Sequence, residues 1–155
     1  MIEVRNLCKS FDGFQALHNV NITVPKASVY GIVGPNGSGK TTLIKHMVSI
    51  LIPDEGTIKI DGEEVYDNPS IKKRIAYIPD DIYFYPQANM KDTVDFYQRV
   101  YPDFNRERLE KLIPVFPVDP KKPLRNFSRG MKKHVAFMLA LCIMPDLLVL
   151  DEPMD

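Results

Sequence analysis

Cysteine is scarce, net charge is absent, and no apolar run is long enough to cross a bilayer. The two cysteines, Cys8 and Cys142, form no C-x-x-C pair and give no metal-ligand spacing, which points to a reduced, cytoplasmic setting. Lys plus Arg and Asp plus Glu balance at 20 each, so no global field favours nucleic acid or an anionic membrane, and no nucleic-acid partner is expected. The longest apolar run, Val135 to Met144, ends at Pro145-Asp146 and falls short of the ~20 residues a membrane helix needs. The start, Met1-Ile2-Glu3-Val4-Arg5, lacks the basic-then-apolar layout of a signal peptide. Any membrane connection must therefore run through a partner. Internal repeats and low-complexity stretches are lacking as well. What remains is an ordinary globular composition, 45% hydrophobic and 26% charged over 155 residues, with room for one domain and a real core.

One stretch organises the rest. Gly34-Pro35-Asn36-Gly37-Ser38-Gly39-Lys40-Thr41-Thr42 fits the phosphate-binding pattern G-x-x-x-x-G-K-[ST] without a mismatch. Gly34, Gly37 and Gly39 let the backbone turn tightly and bring N–H groups against phosphate oxygens. Lys40 offers a positive charge to the β- and γ-phosphates, and Thr41 a hydroxyl to magnesium. A helix should start here, since its N-terminal N–H groups complete the anion site. Val29 to Val33 upstream is a short apolar run of strand type. Downstream, Leu43, Met47, Ile50 and Leu51 recur at helical spacing until Pro53. Strand, glycine loop and helix together predict a nucleoside triphosphate site.

The flanking chain divides by periodicity. Ile2 to Val4 and Val20 to Val24 alternate as strands around an Asp12-Gly13 turn, and Gly56 to Ile60 runs through Asp61-Gly62 into Glu63 to Val65 as a hairpin. Ile75 to Ile78 is a second core strand, closed by Pro79-Asp80-Asp81. From Met90 to Pro145 the pattern is largely helical, with Asn105 and Ser128 as helix caps and breaks at Pro114, Pro117, Pro120 and Pro123. Leu147 to Leu150 then reads as a buried strand ending in Asp151-Glu152-Pro153.

That ending carries chemistry. A strand end holding Asp151 beside magnesium is the Walker B arrangement, and the adjacent Glu152 can orient and deprotonate an attacking water. Between the two motifs, Asn126-Phe127-Ser128-Arg129-Gly130-Met131-Lys132 sets a hydroxyl and a glycine at a helix start. By its residues alone this is either an anion-ready terminus or a plain helix cap.

This order of motifs resembles the ATP-binding subunit of an ABC transporter, over essentially the whole chain. Phe127 to Met131 resembles that family's LSGGQ signature, and Leu150-Asp151-Glu152-Pro153 matches its Walker B end. Ile75 to Asp80 falls where the family has its Q-loop, and Phe11 where it places an aromatic that stacks on adenine. The spelling Ser-Arg-Gly-Met-Lys, with Tyr-Pro-Asp-Phe, is similar to subunits of bacterial ABC-2-type exporters. The fold class implied is α/β: a P-loop NTPase core with an antiparallel β lobe and a helical subdomain, incomplete at the C-terminus. Its expected layout is one domain over 1–155. Residues 1–80 form the core and lobe, 81–145 the helical part and 146–155 the Walker B end.

The resemblance also implies roles. The cofactors are ATP and Mg2+. Residues Gly34, Pro35, Asn36, Gly37, Ser38, Gly39, Lys40, Thr41 and Thr42 would hold phosphates, with Phe11 on the base. Thr41 and Asp151 would serve the metal, and Glu152 would be the catalytic base. Ser128 and Gly130 would close over ATP held by a second ATP-binding subunit in a head-to-tail dimer. A polytopic membrane permease would be the other partner, placing the chain in the cytoplasm at the inner face of the membrane. Tyr83-Phe84-Tyr85-Pro86 sits where such a permease docks, or packs under the helical part. Lys72-Lys73-Arg74 and Lys132-Lys133 read as solvated faces.

Three departures stand out. Asp80 replaces the Q-loop glutamine, as either a catalytic and metal-side acid or a turn residue after Pro79. Arg129 replaces the first glycine of the signature pair, adding charge near a partner's phosphates or pointing to solvent. The chain stops at Met154-Asp155, ahead of the family's switch histidine, since His18, His46 and His134 all precede Asp151. A fragment of a longer protein, or a truncated gene product, is expected. Two alternatives stay beside the transporter ATPase: a soluble ABC protein acting on a cytosolic assembly, and a nucleotide-binding remnant without turnover.

Overall fold

The computed structural model describes residues 1–152. Contacts divide them into two compact units, one from Met1 to Lys72 and one beginning at Lys73.

The first unit is built on hairpins. Strands β1 (Ile2–Phe11) and β2 (Phe14–Val24) pair antiparallel from Ile2↔Val24 to Phe11↔Phe14, leaving Asp12 and Gly13 as the turn. Both turn residues have positive φ, 47° and 83°, the handedness that matches strand twist in a two-residue hairpin. Strict alternation would bury Ile2, Val4 and Asn6. Asn6, at φ 49°, instead marks a register shift between Val4 and Leu7, so Leu7 turns inward and is fully buried. Strand β3 (Glu55–Ile60) pairs with β1, Ile2 against Ile60 and Val4 against Ile58. After a second two-residue turn at Asp61-Gly62, β4 (Glu63–Glu64) closes a sheet of order β2-β1-β3-β4.

Helix α1 (Lys40–Met47) follows the glycine loop and buries Leu43, Ile44, His46 and Met47. It stops earlier than the apolar spacing to Leu51 suggests. Ser49 takes a left-handed φ of 57°, its N–H bonds the His46 carbonyl at 2.9 Å, and the Ile50 N–H reaches Lys45 O at 2.8 Å. That is a Schellman ending, with serine in the place usually held by glycine. The expected strand at Val29 to Val33 does not form: 28–35 carry no regular structure, and Val29 and Val33 are essentially fully exposed. An apolar run supplies strand propensity, but a strand also needs a neighbour for its N–H and C=O groups, and this segment has no ladder partner among the described residues. A single turn, α2 (Pro69–Lys72), ends the unit.

The second unit pairs two parallel strands, β5 (Ile75–Ile78) and β6 (Leu147–Leu150), in register from Ile75↔Leu147 to Ile78↔Leu150. Parallel neighbours need a long crossover. Here it is α3 (Met90–Val100), α4 (Arg106–Leu112) and α5 (Arg129–Cys142). Each starts on a side-chain cap. Asn89 and Asp92 form a reciprocal capping box, Asn105 accepts from the Arg108 N–H, and Ser128 accepts from the Met131 N–H. Leu124, Val135, Met138, Leu139 and Cys142 are fully buried at the centre, joined by Met90, Val94, Leu109 and Phe127. Burying each such side chain contributes about 1.5–3 kcal/mol. Ala140 and Ile143 of the α5 end pack on Ala76 and Ile78, fixing α5 against the strand pair. Cys8 and Cys142 are both free thiols. Burial pushes the Cys142 thiol up to about 11.

Candidate functional site

The glycine loop lies in the first unit. Gly39, at φ 87°, is the residue before α1, and a Cβ there would meet the Ala16 carbonyl oxygen at 2.7 Å. Only glycine meets both demands, left-handed backbone and close approach to β2. Ser38 N–H closes a turn onto Pro35 O at 3.2 Å, and the Leu43 N–H onto Gly39 O begins the helical ladder. The first N–H groups of α1 lack intrahelical acceptors by geometry, as in any helix. Lys40 Nζ folds back over the loop, donating to the carbonyls of Gly34 at 2.8 Å and Pro35 at 2.9 Å. Loop and lysine thus bring glycine backbone and one ammonium together at the mouth of α1, chemistry suited to an anion.

Phe11 stands at the tip of the β1–β2 hairpin, 41% exposed. Lys9 Nζ lies 5.5 Å from its ring centroid, and the same ammonium bonds Asp54 at 2.6 Å. Lys9 first, then the Ser10 N–H, holds the Asp54 carboxyl below its usual range.

The second unit gathers the acids. Because Ile78 pairs with Leu150, the residues after both strands emerge side by side, and the Asp151 N–H donates to Ile78 O at 3.0 Å. Open parallel sheets bind ligands at these carboxyl ends. Asp151 is buried at 5% exposure, with the Tyr77 hydroxyl 3.4 Å from Oδ2. Burial, and then the Asp151 charge, push the Tyr77 phenol up to about 12. Glu152 is exposed, with a left-handed φ of 48° that is uncommon for a residue bearing a Cβ. Pro153, Met154 and Asp155 lie outside the described residues.

Asp80 follows β5 and pairs with the Arg129 guanidinium at the start of α5. Lys133, one turn further on, has Nζ 3.7 Å from Asp80 Oδ1 and donates to the Glu152 carbonyl at 2.9 Å. Arg129 therefore does not simply point to solvent: the two residues that depart from the family's pattern are partners. Nor is Lys133 a solvated residue; its side chain is only 16% exposed. Sequence reasoning missed Lys133 and Tyr77. The four-residue spacing of Arg129 and Lys133 on a capped helix puts them on one face and could have flagged the pair. Nothing in the short apolar run Ile75 to Ile78 singled out Tyr77. Ser128 and Gly130 sit exposed at the α5 N-terminus, Ser128 acting as its cap.

The family model described as ABC transporter matches residues 17–155. The chain belongs to the ABC transporter family. Among curated relatives, the ABC transporter ATP-binding protein YtrB of Bacillus subtilis (strain 168) is 38% identical over 155 residues, covering 100% of this chain and 53% of that protein. The molybdate/tungstate import ATP-binding protein WtpC of Pyrococcus abyssi (strain GE5 / Orsay) is 34% identical over 159 residues, covering 99% of this chain and 46% of that protein. The chain thus spans about half the length of these relatives. A solved ATP-binding subunit of an ABC transporter superposes with a TM-score of 0.90 at 28% identity, over 99% of this chain and 66% of that one. The expected α/β architecture, antiparallel β lobe and helical subdomain included, is that of this ATP-binding family. No helix among the described residues is long and apolar enough to cross a membrane.

Proposed function

We propose that this chain is the ATP-binding part of a transporter ATPase that binds Mg-ATP and hydrolyses it to drive a membrane partner. The observation that carries the reading is the Gly34–Gly39 loop, with Gly39 left-handed at the mouth of α1 and Lys40 Nζ held over the loop carbonyls. Phosphate oxygens would draw the Lys40 ammonium off those carbonyls and take N–H groups of the helix start. Phe11 would stack on the base. Thr41 would offer a hydroxyl, and Asp151 and Asp80 carboxylates; each is a hard oxygen donor of the kind magnesium takes. Bound there, the ion would neutralise charge on the β- and γ-phosphates. Glu152 would accept the proton of the attacking water.

Ser128 and Gly130 would meet the ATP of a second ATP-binding subunit in a head-to-tail dimer. Export through a polytopic permease is favoured by the Ser-Arg-Gly-Met-Lys spelling, although WtpC, a relative, is an import protein. The docking face would be the aromatic patch after β5. Tyr83 and Tyr85 are 75% and 68% exposed, and with Phe96, Tyr97 and Tyr101 they border a cavity of about 470 Å³. Exposed aromatics beside a hollow suit an apolar helix. Such a subunit would lie in the cytoplasm, against the inner face of the membrane.

The test is nucleotide binding and turnover with magnesium, on residues 1–155 and on a version extended past Asp155 (the full gene product, where it is longer), with Glu152→Gln as control. Turnover that Glu152→Gln abolishes, with ATP binding retained, is expected in the full gene product. Failure of both forms to bind ATP would refute the phosphate-loop assignment.

A further inference from the structure

We infer that Lys133 is a positioning residue for hydrolysis, setting the backbone of Glu152 and tying it to Asp80. The inference rests on the reading of Glu152 as the catalytic base. Its own support is geometric. Glu152 stands at φ 48°, a conformation that a residue with a Cβ keeps only when its surroundings hold it. The hold described here is the Lys133 ammonium, donating to the Glu152 carbonyl at 2.9 Å. A charged donor makes a stronger bond to a carbonyl than a neutral one.

Lys133 is well suited to the task. Long lysine side chains ordinarily trail into water, yet this one is 16% exposed. Its root is fixed too, one turn into a helix capped by Ser128 and packed through Val135 into a fully buried cluster. The same Nζ lies 3.7 Å from Asp80 Oδ1, and Asp80 is in turn paired with Arg129. One helical face, Arg129 and Lys133, therefore spans the ends of both parallel strands. Lys133 thereby links the Asp80 carboxylate to the Glu152 backbone, two residues from opposite ends of the unit's sequence.

Positioning errors of about 1 Å cost on the order of a hundredfold in rate. Lys133→Met in the full gene product should lower kcat about 10- to 100-fold. ATP affinity, read with a fluorescent nucleotide, should stay within about twofold, because the phosphate loop is untouched. Lys133→Arg keeps a cationic donor and should recover most of the lost rate. In a Glu152→Gln background, Lys133→Met should add nothing, since residues acting as a unit are not additive. Should Lys133→Met fold poorly by thermal denaturation, Lys133→Gln, which keeps a neutral donor, takes its place with the same expectation. Full kcat in the folded variant, or a loss that tracks ATP affinity instead of kcat, would overturn the inference. If Glu152→Gln retains full turnover, the base assignment falls and this inference with it. A dead Glu152→Gln beside a fully active Lys133→Met refutes Lys133 alone.

Discussion

The carboxylate of Asp80 and the guanidinium of Arg129 form an ion pair that joins the loop after β5 to the first turn of α5, 49 residues later. Both side chains are substantially exposed, at 39% and 59%, so the pair's value is modest. A double-mutant cycle with Asp80→Ala and Arg129→Ala should give a coupling of roughly 0.2–1 kcal/mol, shrinking as salt is raised. A coupling above about 2 kcal/mol, or one indifferent to salt, would contradict a screened surface pair. The cycle also separates roles. If Asp80 serves turnover directly, Asp80→Ala lowers kcat well beyond what so small a stability change explains.

The phenol of Tyr77, held protonated up to about 12, ties stability to alkaline pH. In the unfolded chain a tyrosine ionises near 10. Between those values the folded state keeps a proton that the unfolded state has lost, so the contribution is intact below about pH 10 and falls away as pH climbs towards 12. Urea midpoints taken from pH 9 to 12 should decline over that window. Tyr77→Phe should flatten that part of the decline, and an unchanged profile would show that other groups govern it.

Ser49 ends α1 at a left-handed φ of 57°. Glycine takes that conformation without the Cβ clash, at the cost of a more flexible unfolded chain. Ser49→Gly should therefore raise stability by roughly 0.5–1 kcal/mol in chemical denaturation. Destabilisation would mean that the serine side chain contributes more than its backbone costs.

Gly39 should tolerate no side chain. Its φ of 87°, with the Ala16 carbonyl oxygen 2.7 Å from where a Cβ would sit, means that Gly39→Ala must move the loop or β2. A stability loss of about 2 kcal/mol and at least a tenfold weaker affinity for ATP are expected, read by denaturation and by nucleotide titration. Undiminished ATP affinity would show that the loop geometry does not make the phosphate site.

The local elements were legible before any coordinates. Asp12-Gly13 and Asp61-Gly62 encode their hairpins through backbone conformations few other pairs adopt, and Asn105 and Ser128 cap helices because their side chains reach an orphan N–H. The phosphate loop is a local motif as well, with all its residues inside one turn and the helix that follows.

What the sequence could determine by itself ends with chemistry carried by neighbouring residues. Tertiary structure decided the rest. Val29 to Val33 has a strand's composition but no ladder, because strand formation depends on a neighbour that composition cannot supply. Sequence reasoning gave Asp80 as a catalytic and metal-side acid or a turn residue, Arg129 as a charge near a partner's phosphates or one pointing to solvent, Lys133 as part of a solvated face and Glu152 as a catalytic base, with no link among the four. The parallel register of Ile78 with Leu150, and the packing of α5 on that strand pair, bring them within reach of one another. Partnership between distant charges is set by register and helix placement, and those are properties of the folded chain.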